Sequence, residues 1–383
     1  MDFEMIDDNG SGTRIKVVGV GGAGGNAVRH MVNKGVSGVE FIAANTDKQA
    51  LSRSKAQNLI QLGSTGQGAG ANPAVARQLA EESRTRIEDA LRGADMVFIA
   101  AGMGKGTGTG ATPVIAEVAK SLGALTVAVV SRPFSYEGTR CMKVAESGLE
   151  ELERHVDSLI VIQNEKLETL YEDSSFQEWL ELADDVLKNA VAGIAEIINV
   201  AGHINVDFSD VKTIMAEQGK ALMGTAVAEG MDRARLAAEQ AINSPLLDGI
   251  ELSNARGILL NITASSSLSG KEIKEITKTV RDVASEDALI ISGIVYDDNM
   301  GDEVRVTVVA TGLGRRLEPP RLVKQALFNT GTHDASGFME VPTIIRSPKV
   351  WQTGHSSAET LLKLSGTDVN QEEIPAFLRK QAD

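Results

Sequence analysis

Two glycine-rich loops, each directly behind a short apolar run, are the residues of this chain best suited to chemistry. VGVGGAGGNA contributes Gly21, Gly22, Ala23 and Asn26; about eighty residues on, AGMGKGTGTGATP contributes Gly104, Lys105, Gly106, Thr107, Gly108 and Thr109. Glycine gives up side-chain packing so that successive backbone N–H groups can converge on an anion, and a helix N-terminus behind the loop adds its partial positive charge. Two such loops in one chain predict a polyphosphate site.

Two ligand classes fit that prediction. Gly19-Val20-Gly21-Gly22-Ala23-Gly24 satisfies the dinucleotide fingerprint, with Asp47 about twenty residues beyond it, so a nicotinamide or flavin oxidoreductase is one reading. The second loop favours a nucleoside triphosphate, because Thr107 and Thr109 add hydroxyls suited to a triphosphate and its metal. A P-loop is excluded: Lys105 is followed by Gly106, and Ile99 stands at the place of the first glycine. His30, His155, His203, His333 and His355 show no ligand spacing with one another or with Cys141, so no metal site is expected from protein side chains alone. No nucleophile elbow is present for a serine hydrolase.

The elements that must position the loops alternate between strand and helix. Short β-branched runs at Ile15 to Val20, Val39 to Ala44, Leu59 to Leu62, Met96 to Ala101, Leu125 to Val130 and Leu159 to Ile162 predict a Rossmann-type parallel sheet with crossover helices. Asn72-Pro73 and Thr112-Pro113 each place a capping side chain before a proline, which predicts two helix starts. A long helix is predicted from Phe176 to Val200, with Val186, Ala190, Ile194, Ile197 and Ile198 at helical spacing. Beyond it, strands at Gly257 to Thr263, Leu289 to Val295 and Glu303 to Ala310, with an amphipathic helix through Ile273, Ile276, Val280 and Val283, predict a smaller α+β domain. In the last strand, Val304, Val306 and Val308 alternate with Arg305 and Thr307, which predicts one buried face.

Composition narrows the partners. With 38 basic and 52 acidic residues the formal charge is −14, which repels nucleic acid and anionic membrane and leaves a phosphate site to backbone dipoles and a metal ion. The single cysteine permits no internal disulfide and suits a reducing compartment. MDFEMIDDNG has neither a basic nor an apolar leader region, and no run of eighteen uncharged apolar residues occurs, so no membrane insertion is expected. After Gly314 the composition becomes that of a linker, and Ile374, Pro375, Phe377 and Leu378 then form a short apolar anchor suited to a partner's groove.

NTD at Asn45 to Asp47, GAGANP at Gly68 to Pro73, GTGTG, NVDFSD at Asn205 to Asp210 and the terminal IPAFLRKQAD occur in an order that resembles the FtsZ family of tubulin-like bacterial cell-division GTPases. The resemblance runs from about Ile15 to Gly314 and resumes at the tail. It implies a disordered segment at 1–13, a GTP-binding domain at 14–175, a central helix at 176–202, an α+β domain at 203–316, a linker at 317–371 and a partner-binding peptide at 372–383. It further implies binding of GTP or GDP with Mg2+, and K+ as a second candidate cation, head-to-tail self-assembly, and a cytoplasmic ring at mid-cell. Membrane-tethering and regulatory division proteins would bind the tail.

Site residues carry over with it. Gly21, Gly22, Asn26 and Gly104 to Thr109 match phosphate-binding loops, Glu137 a ribose contact, and Asn164 and Asp184 guanine contacts. Asn205, Asp207 and Asp210 match the motif that one subunit lends to its neighbour's nucleotide, where carboxylates orient an attacking water. Three positions depart from the family pattern. Lys105 replaces a glycine expected at positive φ, and its ammonium either adds a phosphate contact or weakens the cradle. Leu180 stands where an aromatic ring would stack on the base, and Trp179, about 100° away around the helix, is expected to pack elsewhere. Cys141 stands where an arginine is expected, with Arg140 one position early. The same chain therefore also fits a paralogue that co-assembles but hydrolyses GTP poorly.

Overall fold

The computed structural model describes residues 12–199, 206–216, 220–244, 247, 252 and 255–313. Its strands are β1 (Ile15–Val20), β2 (Val39–Asn45), β3 (Asn58–Gln61), β4 (Met96–Gly102), β5 (Leu125–Arg132), β6 (Ser158–Gln163), β7 (Lys220–Ala228), β8 (Gly257–Ala264), β9 (Leu289–Tyr296) and β10 (Val304–Leu313). The helices are α1 (Gly21–Asn33), α2 (Lys48–Ser52), α3 (Pro73–Glu81), α4 (Arg84–Leu91), α5 (Thr107–Ser121), α6 (Gly138–Glu153), α7 (Asn164–Leu170), α8 (Phe176–Asn199), α9 (Phe208–Met215), α10 (Arg233–Ile242) and α11 (Gly270–Val283). Every strand expected from the sequence is present within about three residues of its expected ends.

One sheet runs in the order β3-β2-β1-β4-β5-β6-β7-β10-β8-β9. The first six strands pair in parallel, and their order reverses between β1 and β4. That reversal opens a crevice at the carboxyl ends of the two strands, where open α/β sheets hold ligands. β1 and β4 are buried almost throughout because helices cover both faces, which is why they read as continuous apolar runs. Ala27, Val28 and Met31 of α1 pack with Leu187, Ala190 and Val191 of α8 on one face. Ile87 and Leu91 of α4, Val114 and Ile115 of α5 and Leu152 of α6 fill the other.

Three features were not legible as expected. The helix behind the second glycine loop begins at Thr107, not at Pro113: Thr112 is fully buried inside α5, and Pro113 is tolerated in its second turn. Gly108 and Gly110 permit the early start, since a Cβ on either would strike the carbonyl oxygen of Gly102 or Pro73. β7 was not anticipated. It joins the second half to the first through the parallel pairs Leu159 with Lys220 and Ile160 with Ala221, then pairs antiparallel with β10. β10 is covered on both faces rather than one, with Thr307 buried as well as Val306 and Val308, because α8 packs there: a Cβ on Gly193 would lie 3.3 Å from Thr307 Cγ2, and Asn261 Nδ2 donates to Gly193 O at 3.1 Å.

Candidate functional site

The two glycine loops meet because the strands before them are neighbours. Gly21 takes φ 74°, and a Cβ there would lie 3.0 Å from Gly108 N, so the loops touch backbone to backbone. Neither α1 nor α5 has a side chain capping its N-terminus, which leaves first-turn N–H groups of both directed at one crevice. The GAGANP segment closes a third side: Asn72 caps α3 by accepting from Ala74 N, and Ala71, at φ 57°, brings its Cα against Gly106. Within the second loop Thr109 Oγ1 accepts from Gly104 N at 2.8 Å, and Thr107 Oγ1 lies 2.7 Å from Thr46 Oγ1.

From this crevice a cleft of about 500 Å3 extends to α8. Gly22, Ala23, Asn26, Lys105, Gly106, Thr107, Gly108, Glu137, Asn164 and Asp184 all line it. Gly21, Gly104, Thr109 and Arg140 do not. Gly21 and Gly104 shape the backbone, Thr109 is buried and spent on the loop, and Arg140 is exposed in the first turn of α6. Sequence reasoning missed Ala71, Met103, Ser131, Arg132, Phe134 and Tyr136 in the lining. Their signal was positional: Ser131 and Arg132 end β5 at the carboxyl edge of the sheet, and Phe134 and Tyr136 lead directly into Glu137.

At the α8 end, Leu180, Ala183, Asp184 and Leu187 form one helical stripe facing the cleft. Burial pushes the Asp184 carboxyl up to about 6 from an ordinary 3.8, aided by Asp185 and Glu181 and opposed by His30 and Arg29. Asn164 lies at the start of α7, is 5% exposed, and its Oδ1 has no hydrogen-bond partner. A half-buried carboxylate and an orphaned amide oxygen in one cleft together suit a ligand rich in N–H donors. Phe134 stacks on Trp179 (centroids 6.4 Å apart) and on Tyr136 (5.5 Å), and Tyr136 meets Phe176 edge-on. Trp179 itself faces away from the cleft, donating to Tyr171 O at 2.7 Å.

Lys105 is not at positive φ. Gly104, at φ 108°, makes the turn before it, so the expected backbone cost of the lysine is absent. Its Nζ pairs with Glu137 Oε2 at 2.7 Å. Asp207 caps α9 by accepting from Ser209 N, and Asp210 lies exposed in the same first turn; Asn205 falls outside the described residues, as do Ile374, Pro375, Phe377 and Leu378. Asp184 precedes the end of α8 by fifteen residues. At about 1.5 Å per residue that is about 22 Å, and α9 follows at the far end. The acidic pair is therefore remote from the cleft of its own chain.

The Tubulin/FtsZ family GTPase-domain model matches residues 14–172, and the FtsZ family C-terminal-domain model matches residues 219–314. The cell division protein FtsZ of Azotobacter vinelandii is 50% identical over 398 aligned residues, covering 100% of both chains; that of Pseudomonas aeruginosa is equally similar. A solved empty FtsZ dimer from M. jannaschii superimposes with a TM-score of 0.77 at 43% identity, covering 80% of this chain and 90% of that one. With both halves of the fold matched in order and identity this high from end to end, the chain belongs to the FtsZ family of tubulin-like GTPases.

Proposed function

We propose that the cleft binds GTP, with its phosphates on the α1 and α5 amides and its guanine between Asn164 and Asp184, and that a second copy docked head to tail completes the catalytic site. One observation carries this reading: among the lining residues the carboxylates are Asp184, on α8, and Glu137, which is paired with Lys105, so the glycine-loop end holds no unpaired carboxylate, while Asp207 and Asp210 stand exposed on α9, beyond the far end of α8. Stacking copies along α8 brings one copy's acidic turn over the next copy's phosphates. There the two carboxylates, with Asn205, orient and polarise the attacking water. Hydrolysis thereby depends on assembly.

Guanine is favoured over adenine by the chemistry of the pocket's acceptors. Ionised Asp184 can accept from two N–H groups on guanine's Watson–Crick edge, where adenine offers a different pattern. Thr107, backed by Thr46, supplies neutral hard oxygens on the phosphate side, a donor set that suits Mg2+ held mainly by phosphate and water. When bound, that ion would neutralise charge on the terminal phosphates. K+ is a further candidate at the junction between copies.

In the cell we infer a cytoplasmic filament at the mid-cell division ring, anchored to membrane-tethering and regulatory partners through Ile374, Pro375, Phe377 and Leu378. Among the described residues no helix is long and apolar enough to cross a membrane. The deciding experiment follows phosphate release and light scattering together over a concentration series. Turnover per chain should rise with concentration and saturate as scattering appears. A rate per chain independent of concentration would overturn the shared site.

A further inference from the structure

Two cations line the cleft, Lys105 and Arg132, and each is already paired with a glutamate. The pairs differ in what breaking them would expose. Arg132 meets Glu146 of α6, which is not part of the lining. Lys105 meets Glu137, which is. Glu137 is a fixed post: its Oε1 accepts from Phe134 N at 3.3 Å, and its side chain is only 16% exposed. Lys105 is the movable arm, a flexible stem whose side chain is 69% exposed, rising from between Gly104 and Gly106 beside the amides that face the crevice. The bridge thus ties the loop behind β4 to the turn behind β5 across the cleft.

Resting on the GTP-binding reading above, we propose that Lys105 is a phosphate-dependent latch: its ammonium leaves Glu137 for the terminal phosphates of an incoming nucleotide, and the freed Glu137 carboxylate accepts from the ribose hydroxyls. With its lysine end solvent-exposed and flexible the pair contributes little, so it opens readily once a stronger anion arrives. A di- or triphosphate is such an anion, and a charge-assisted contact to it exceeds what the pair gives up. A nucleoside offers no exchange, so it meets a Glu137 still held by Lys105. Hydrogen bonding to Glu137 and the charge of that carboxylate, against the opposing effect of partial burial, hold the Lys105 ammonium above its ordinary range, so the arm is cationic at neutral pH. One residue thereby makes the cleft discriminate by phosphate number at two points, the phosphates and the sugar.

The test is equilibrium titration of the full chain with guanosine, GMP, GDP and GTP, comparing the natural protein with Lys105→Met and Lys105→Arg. Lys105→Met should weaken GTP by roughly ten-fold, as expected for loss of a charge-assisted contact. It should tighten guanosine by about two-fold, as expected for release of a weak pair with one exposed partner. Lys105→Arg should restore the preference for longer phosphate chains. Opposite signs on the two ligands are the signature, since a merely structural lysine would move both the same way. If guanosine and GTP weaken together in Lys105→Met, or neither moves while the natural protein binds GTP normally, the latch is wrong and the GTP site stands; failure of the natural protein to bind GTP would instead overturn that site.

Discussion

Replacing Asp184 by asparagine should make the empty protein more stable and a worse receptor for guanine. Partial burial beside the apolar Leu180, Ala183 and Leu187 positions of the same cleft raises the carboxyl from 3.8 to about 6, so at pH 7 the folded protein carries a charge it holds at a cost. At about 1.4 kcal/mol per pH unit the displacement is worth about 3 kcal/mol, a ceiling because an amide in the same place also needs partners. The sign follows from proton counts. Between pH 3.8 and about 6 the folded state holds more of this proton than the unfolded state, so the contribution is favourable below 3.8 and is lost as pH rises through 6. Thermal melting without nucleotide should therefore show Asp184→Asn ahead of the natural protein by a few degrees at pH 7 and nearly level with it at pH 4. Calorimetric titration of GTP should show the natural protein losing about ten-fold in affinity from pH 7 to pH 5 as the acceptor is protonated, and the variant weak and flat across that range. An Asp184→Asn protein that melts no later than its parent at pH 7 would refute the claim that this carboxylate is held strained for its ligand.

Other perturbations separate the remaining roles. Under the shared-site proposal, in which the carboxylate serves a neighbour's nucleotide, Asp210→Ala should leave GTP binding to the monomer nearly intact and abolish assembly-dependent phosphate release; weakened monomer binding in a filter assay would contradict this. Tyr136 lines the cleft with an exposed ring held by Phe134 and Phe176. If its ring supplies the aromatic face that Leu180 of the same cleft lacks, Tyr136→Ala should weaken GTP several-fold while leaving inorganic tripolyphosphate unchanged, and Tyr136→Phe should behave as natural. Parallel losses for both ligands would point to a folding defect instead. Gly110→Ala would drive a methyl into Pro73 O and part α5 from α3, costing about 1–3 kcal/mol in denaturant midpoint analysis. Deleting residues 374–383 should spare assembly in solution while abolishing capture by tethering partners in pull-down, and an equal loss of light scattering would sink the tether assignment.

What the sequence alone determined was local. Strands β1 to β6 and the long helix α8 were readable because β-branched runs and 3.6-residue periodicity depend on neighbours a few positions away, and the glycine loops because only glycine tolerates Gly21 at φ 74° or Gly104 at φ 108°. Periodicity failed where long-range packing overrode local cues. The start of α5 was set by Gly102 and Pro73 carbonyls lying against Gly108 and Gly110, not by the Thr112-Pro113 cap signal, and β7 was recruited as a strand by β10. The site residues were visible as types, but their partners were not. That Lys105 turns to Glu137, that Asn164 keeps an orphaned oxygen, that Tyr136 and Leu180 line one cleft and that Asp207 and Asp210 lie a helix length away are facts of tertiary structure. They join positions tens of residues apart, and which side chains meet across such distances is decided by the order of strands in the sheet, which no local pattern encodes.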